Sequence, residues 1–195
     1  MYVCVRDAAH GRLRHDRGVA TYIAFLRAIN LGPTRKFPKD AIKAAVEAAG
    51  GARVETYINT GNVRLDSSMR SRARLEAALE EAFLADRGFE VPTIVFTPAE
   101  LREIAEDAKR FADGHEGRHY VSLLKEEPSA GAVELVEAAG TADEVARVGG
   151  RAVHLLLGPD YHTATLTNAV IEKHLGVATN RNLNVVRTLA ERWGA

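Results

Sequence analysis

Residues 54–65 carry the sequence VETYINTGNVRL, which predicts two short strands joined by a tight turn. The strand segments, residues 54–58 and 63–65, are rich in β-branched and apolar side chains, and Asn59-Thr60-Gly61-Asn62 lies between them. Asn and Gly tolerate a positive φ, so this segment favours a β-hairpin. The hairpin is the centre of the predicted fold, because a strand and a helix are predicted on each side of it.

The segments around the hairpin complete one unit. The pattern predicts a first strand over residues 21–29, a polar loop over 30–36 and a helix from Pro38 to Ala49. After the hairpin, a helix over 72–85 and a strand over 91–96 are predicted. The order β-α-β-β-α-β is typical of the split βαβ, or ferredoxin-like, unit.

The second half of the chain predicts a similar order of elements. Thr97-Pro98-Ala99-Glu100 is typical of a capping box that opens a helix. The later segments are predicted as β-α-β-β-α followed by a last helix, over residues 120–124, 130–139, 144–148, 152–157, 165–175 and 185–193. We therefore expect an α+β fold of two ferredoxin-like subdomains with antiparallel sheets and a C-terminal helix. Their predicted bounds are 19–97 and 98–195, after a disordered leader at 1–18.

The composition limits the classes of function. The chain has 195 residues with 26 basic and 26 acidic side chains, so its formal charge is zero. A general nucleic-acid binder usually has a basic excess, which makes nucleic acid an unfavoured partner. One cysteine excludes an internal disulfide, and no apolar run is long enough to span a membrane. The cytoplasm is the expected compartment.

The first predicted site lies at two loops, the loop after the first strand and the tip of the hairpin. Strands one and two of a ferredoxin-like sheet run parallel, so the loop after the first strand should lie beside the hairpin tip. Polar side chains at this rim predict a pocket for a small anion, with ligands at Asn30, Arg35, Lys36, Asn59 and Asn62. The alternative is that the Asn and Gly residues serve only the turns, while the two cations are solvated surface.

A polar segment near the C-terminus adds two candidates. Asn168, at the start of a predicted helix, and Arg181, which helix capping does not explain, are expected to join the pocket across the subdomain cleft. We expect Asn184 to be the N-cap of the last helix. No P-loop and no pairing of a nucleophile with a base is present, so neither catalytic residues nor a cofactor is predicted.

Residues 115–119, HEGRH, match the zincin pattern His-Glu-x-x-His. The pattern needs both histidines on one face of a helix, whereas Gly114 and Gly117 interrupt this segment and a strand follows it. We interpret the match as chance and predict no metal site. His154, within an apolar strand, is interpreted as a hydrogen-bonded sheet residue.

Four stretches resemble a bacterial family, the domain of unknown function numbered 1697: residues 22–32, 56–63, 166–172 and 175–184. The family usually has Gly at the position of Ala28, Gln-Ser at Asn59-Thr60 and Trp at Leu183. The resemblance implies a pair of ferredoxin-like subdomains and no established activity, cofactor or catalytic residue.

Three hypotheses for function follow from the sequence. The first is binding of a small anionic or nucleotide-like ligand in the polar cleft. The second is an enzyme that uses the same cleft without a recognisable motif. The third is a module that interacts with nucleic acid or protein, although the third predicted strand lacks the aromatic residues on which RNA-recognition domains stack bases.

Overall fold

The computed structural model describes residues 18–112 and 114–195. The predicted leader, apart from Gly18, lies outside the described residues. The first half contains the predicted order of elements: β1 (Ala20–Leu26), α1 (Lys39–Ala48), β2 (Ala52–Tyr57), β3 (Asn62–Ser67), α2 (Arg72–Arg87) and β4 (Thr93–Phe96).

The second half has one strand more than the sequence pattern predicts. Its elements are α3 (Pro98–Phe111), β5 (Arg118–Leu124), α4 (Ala130–Ala138), β6 (Glu144–Gly149), β7 (Ala152–Leu157), a 3₁₀ turn (Tyr161–Thr163), α5 (Asn168–Leu175), β8 (Ala178–Asn182) and α6 (Leu183–Trp193). The sequence pattern predicted no strand between the helix over 165–175 and the last helix, whereas residues 178–182 form β8, which pairs antiparallel with β5.

The sheets confirm the predicted fold class. Their strand orders are β2-β3-β1-β4 and β6-β7-β5-β8, and neighbouring strands are antiparallel. The extra strand β8 therefore takes the place that β4 has in the first sheet. The fold is a ferredoxin-like unit present twice, with α6 added at the end.

Three hydrophobic cores hold the layers together. Helices α1 and α2 cover one face of the first sheet, and α4 and α5 cover one face of the second. The third core lies between the two sheets, where Phe25 and Phe96 of the first sheet pack with Val121 and Leu123 of the second. Helices α3 and α6 complete this shared core through Leu101, Leu189 and Trp193. The two halves thus bury one another's second sheet face.

Helix ends follow local side-chain chemistry. Thr97 and Glu100 form the predicted capping box at the start of α3. The N-cap of α6 is Asn182 and not Asn184, since the Asn182 side chain accepts a hydrogen bond from the Asn184 N–H. Pairing of β8 up to residue 182 explains the difference, because the helix begins directly where that strand ends. No helix in the described ranges is long and apolar enough to cross a membrane.

Candidate functional site

A cavity of about 420 Å³ lies where the chain leaves β1, at the junction of the two sheets. We call it the β1 cleft. It is lined by the end of β1 and its loop, by the hairpin tip, by the start of α5 and by β8: residues 26–31, Asn59, Thr60, Asn168 and residues 178–181. Both halves of the chain supply its walls. The volume lies in the range typical of small-molecule sites.

Direct hydrogen bonds join the two connectors of the first sheet. The Leu26 N–H donates to the Gly61 carbonyl at 2.8 Å, and the Asn30 side-chain amide donates to the Asn59 carbonyl at 2.7 Å. Gly61 is required here, because a Cβ would lie 2.7 Å from the Leu26 Cβ and its φ is 76°. The loop after β1 and the hairpin tip therefore lie side by side at one edge of the sheet.

The loop after β1 has an unusual backbone. The values of φ are 55° at Ala28, 56° at Asn30 and 65° at Gly32, while Ile29 and Leu31 between them have negative φ. Alternating signs of φ are also a feature of the backbone nests that bind anions in other proteins. Within the described ranges, the N–H groups of Ala28, Ile29 and Leu31 have no acceptor, whereas that of Asn30 donates to the Arg35 carbonyl.

The positive φ at Ala28 leads to a stability prediction. A left-handed conformation costs an L-residue about 1 kcal/mol, and glycine avoids most of this cost. We expect Ala28→Gly to raise the free energy of unfolding by about 0.5–1 kcal/mol in a urea titration. Ala44→Gly, on the exposed face of α1, is the control and should lower it by about 1 kcal/mol. A loss of stability in Ala28→Gly would contradict the assigned backbone.

Arg181, on β8, forms the floor of the β1 cleft. Its side chain is only 6% exposed and packs with the guanidinium 5.4 Å from the centre of the Phe25 ring. The guanidinium donates across the sheet junction to the Asn62 side chain at 2.6 Å and to the carbonyls of Leu26, Thr60 and Gly61. On its own strand it donates to the Thr179 hydroxyl and the Asn180 carbonyl. Arg181 thus bridges the two halves.

The charge of Arg181 has no counter-ion in the described residues, since its bonds go to neutral oxygen atoms. Burial lowers the pKa of Arg181 to about 10, so the group remains charged at pH 7. A second cation at the cleft, Arg27, is neutralised by Glu172 at 2.7 Å. The cleft therefore keeps one buried, uncompensated positive charge.

The opposite wall is an amide network. The buried Ser122 hydroxyl on β5 contacts the side-chain oxygen atoms of both Asn168 and Asn180. The Asn168 amide also donates to the Ala178 carbonyl at 3.2 Å. These contacts hold β8 against the first turn of α5 and leave the Asn180 amide nitrogen without an acceptor in the described chain.

The structure brings four of the predicted site residues into the cleft lining: Asn30, Asn59, Asn168 and Arg181. Asn62 is buried beneath the cleft and reaches it only through Arg181. Arg35 and Lys36 do not line the cleft, so their predicted place at its rim was wrong. Arg35 turns away because its guanidinium packs over the Phe89 ring at 4.6 Å and donates to the carbonyls of Ala28 and Glu90.

A related cavity of about 220 Å³ lies where the β6–β7 hairpin meets β4. Its buried cation, Arg151, donates to the Val95 carbonyl of the first sheet and the Leu124 carbonyl of the second. Here, however, Glu100 approaches the guanidinium at 3.4 Å, and Glu103, Asp107 and Glu127 also line the cavity. The two ends of the sheet junction thus differ in charge.

These features define an α+β protein of two ferredoxin-like units that share a core and a polar cleft at their junction. The chain belongs to the family described as proteins of unknown function, DUF1697, whose model matches residues 19–154. Its structure is similar to that of a conserved bacterial protein from Streptococcus pneumoniae, with a TM-score of 0.73 and 20% identity, covering 89% of this chain and 98% of the other. This likeness shows the fold alone. No curated protein matches the chain.

Proposed function

We propose that the protein binds a small anionic, nucleotide-like ligand in the β1 cleft. The observation that carries the proposal is the buried charge of Arg181, which lies at the floor of a cavity of about 420 Å³. This charge has no counter-ion among the described residues. A buried charge without a partner is unfavourable, and an anion in the cleft would compensate it.

The lining supplies two kinds of contact for such a ligand. The N–H groups of Ala28, Ile29 and Leu31 and the side-chain amide of Asn59 are donors without an acceptor in the described ranges. The Arg181 donors are already used, so it would act on the ligand through its charge. Leu31, which is 61% exposed, offers apolar surface for a ring. An anionic group joined to a flat ring fits both kinds of contact.

Charge changes at Leu31 test the proposal without altering the core. We expect Leu31→Asp to raise the Kd of a ribonucleoside 5′-monophosphate, measured by isothermal titration calorimetry, by about fivefold through a repulsion of roughly 1 kcal/mol. Leu31→Lys replaces this repulsion by attraction, so its Kd should lie well below that of Leu31→Asp. Leu135 on α4 is the matched control, because it is 60% exposed and lies outside the cleft lining.

The same Leu135 substitutions should leave the Kd unchanged. Equal affinity of Leu31→Asp and Leu31→Lys would count against binding in the β1 cleft. Mass spectrometry of small molecules that co-purify with the native protein would identify the ligand. We also propose the cytoplasm as the compartment, since a single cysteine requires no oxidising environment.

A further inference from the structure

A second polar pocket of about 290 Å³ lies at the other end of β8, where α6 begins. We call it the α6 pocket. Its polar lining comes from the loop before β5, from β5 itself and from the first turns of α6: His115, Arg118, His119, Asn182, Asn184 and Arg187. It shares no lining residue with the β1 cleft. Residues 178–181 of β8 line the β1 cleft, whereas Asn182, the last residue of that strand, lines the α6 pocket.

The charges around the α6 pocket have one sign. Arg118 and Arg187 line it, and no acidic side chain is found in that lining among the described residues. The Arg118 guanidinium packs over the Tyr161 ring at 4.9 Å, outside the lining, so Arg187 is the cation of the pocket. The start of α6, an 11-residue helix, adds the partial positive charge of its free N–H groups. Within the described residues, the Asn184 N–H of that first turn donates to the side-chain oxygen of Asn182.

The histidines supply an independent sign of a missing partner. His119 is 7% exposed, and its Nε2 lies 3.0 Å from Nδ1 of the fully buried His154. The His119 Nδ1 and the His115 Nε2 are buried without a hydrogen-bond partner in the described residues. In the tautomer in which His154 Nδ1 donates to His119 Nε2, the proton of His119 is on Nδ1, which is then an unused donor. Buried polar atoms are normally paired, so these two require an explanation.

We propose that the α6 pocket is a second ligand site that binds the phosphate group of a small phosphate monoester. Arg187 supplies the charge, the first turn of α6 supplies N–H donors, and the His119 ring forms part of the wall. The burial of His119 lowers its pKa to about 4, so at pH 7 the ring is neutral and Arg187 provides the positive charge. This site is independent of the ligand proposed for the β1 cleft.

The test is a titration of the full chain at pH 7 followed by residue-resolved ¹H–¹⁵N NMR, with inorganic phosphate and with phenyl phosphate as probes. We expect shifts of the amides of residues 182–187 and 115–119 with both probes, and tighter binding of phenyl phosphate. Arg187→Ala removes an exposed cation that has no side-chain hydrogen bond or ion pair within the described residues, so the variant should fold normally. It should raise the Kd at this site about tenfold.

Arg74→Ala is the matched control, since Arg74 is also an exposed arginine on a helix and lies outside the pocket. It should leave the Kd unchanged. The proposal would be overturned if residues 182–187 showed no shift, or if Arg187→Ala bound phosphate as tightly as the unaltered chain. Shifts restricted to residues 26–31 would also overturn it, while leaving the ligand site of the β1 cleft in place.

Discussion

We expect Arg181→Ala to lower the free energy of unfolding by about 3–5 kcal/mol. The substitution leaves the carbonyls of Leu26, Thr60 and Gly61 without their guanidinium donor, inside the junction of the two sheets. The Gly61 carbonyl keeps the Leu26 N–H as a donor. Each buried oxygen atom that is left unpaired costs about 1–3 kcal/mol, and relief from burying an uncompensated charge offsets part of the sum. Equilibrium unfolding in urea measures the change, provided that the m-value is unaltered.

Two further variants separate the charge of Arg181 from its geometry. Arg181→Lys keeps the charge but not the planar set of donors, so it should lose roughly half as much stability as Arg181→Ala. Arg74→Ala, at an exposed position of α2, should remain within about 0.5 kcal/mol of the original chain. A loss below about 1 kcal/mol for Arg181→Ala would show that Arg181 does not join the two halves.

We expect the protein to lose roughly 2–4 kcal/mol of stability between pH 7 and pH 5 because of the buried pair His119 and His154. Burial lowers the pKa of both rings to about 4. Other positive groups add to this, with His154, His115 and Arg187 acting on His119, and Arg110 on His154. An unfolded histidine titrates near 6.5, so the unfolded chain binds more protons throughout this window.

The sign of the effect follows from that difference. The contribution to stability is complete above about pH 6.5 and is lost as the pH falls toward about 4. We expect the double variant with His119→Leu and His154→Leu to lose most of the dependence between pH 7 and pH 5. His162→Leu, at an exposed position, should retain it. Urea unfolding at both pH values measures the difference, and an unchanged slope in the double variant would refute the assignment.

The sequence predicted most of the fold because the apolar positions of the strands and helices are the positions that the structure buries in its cores. It did not predict β8. The segment Ala178-Thr179-Asn180-Arg181-Asn182 has little apolar character, and it is a strand because it pairs with β5 and because Arg181 bonds to the other half. Both are tertiary effects that local propensity does not contain.

The site was predicted in part for the same reason. Asn30 and Asn59 follow from topology, since the ends of two parallel strands of one sheet must lie at the same edge. The orientation of Arg35 depends on Phe89, which is distant in sequence, and that packing was not foreseeable. The contact of His119 with His154 joins residues 35 positions apart, whereas the sequence pattern drew attention only to the spacing of His115 and His119.

The most direct test of the account is a residue-resolved NMR titration of the unaltered protein with a ribonucleoside 5′-monophosphate. Binding in the β1 cleft predicts saturable shifts of the Ala28, Ile29 and Leu31 amides and of the Asn59 and Asn180 side-chain amides. The absence of any change at these five groups up to about 10 mM ligand, well above a millimolar Kd, would contradict the proposal that the charge of Arg181 serves an anionic ligand.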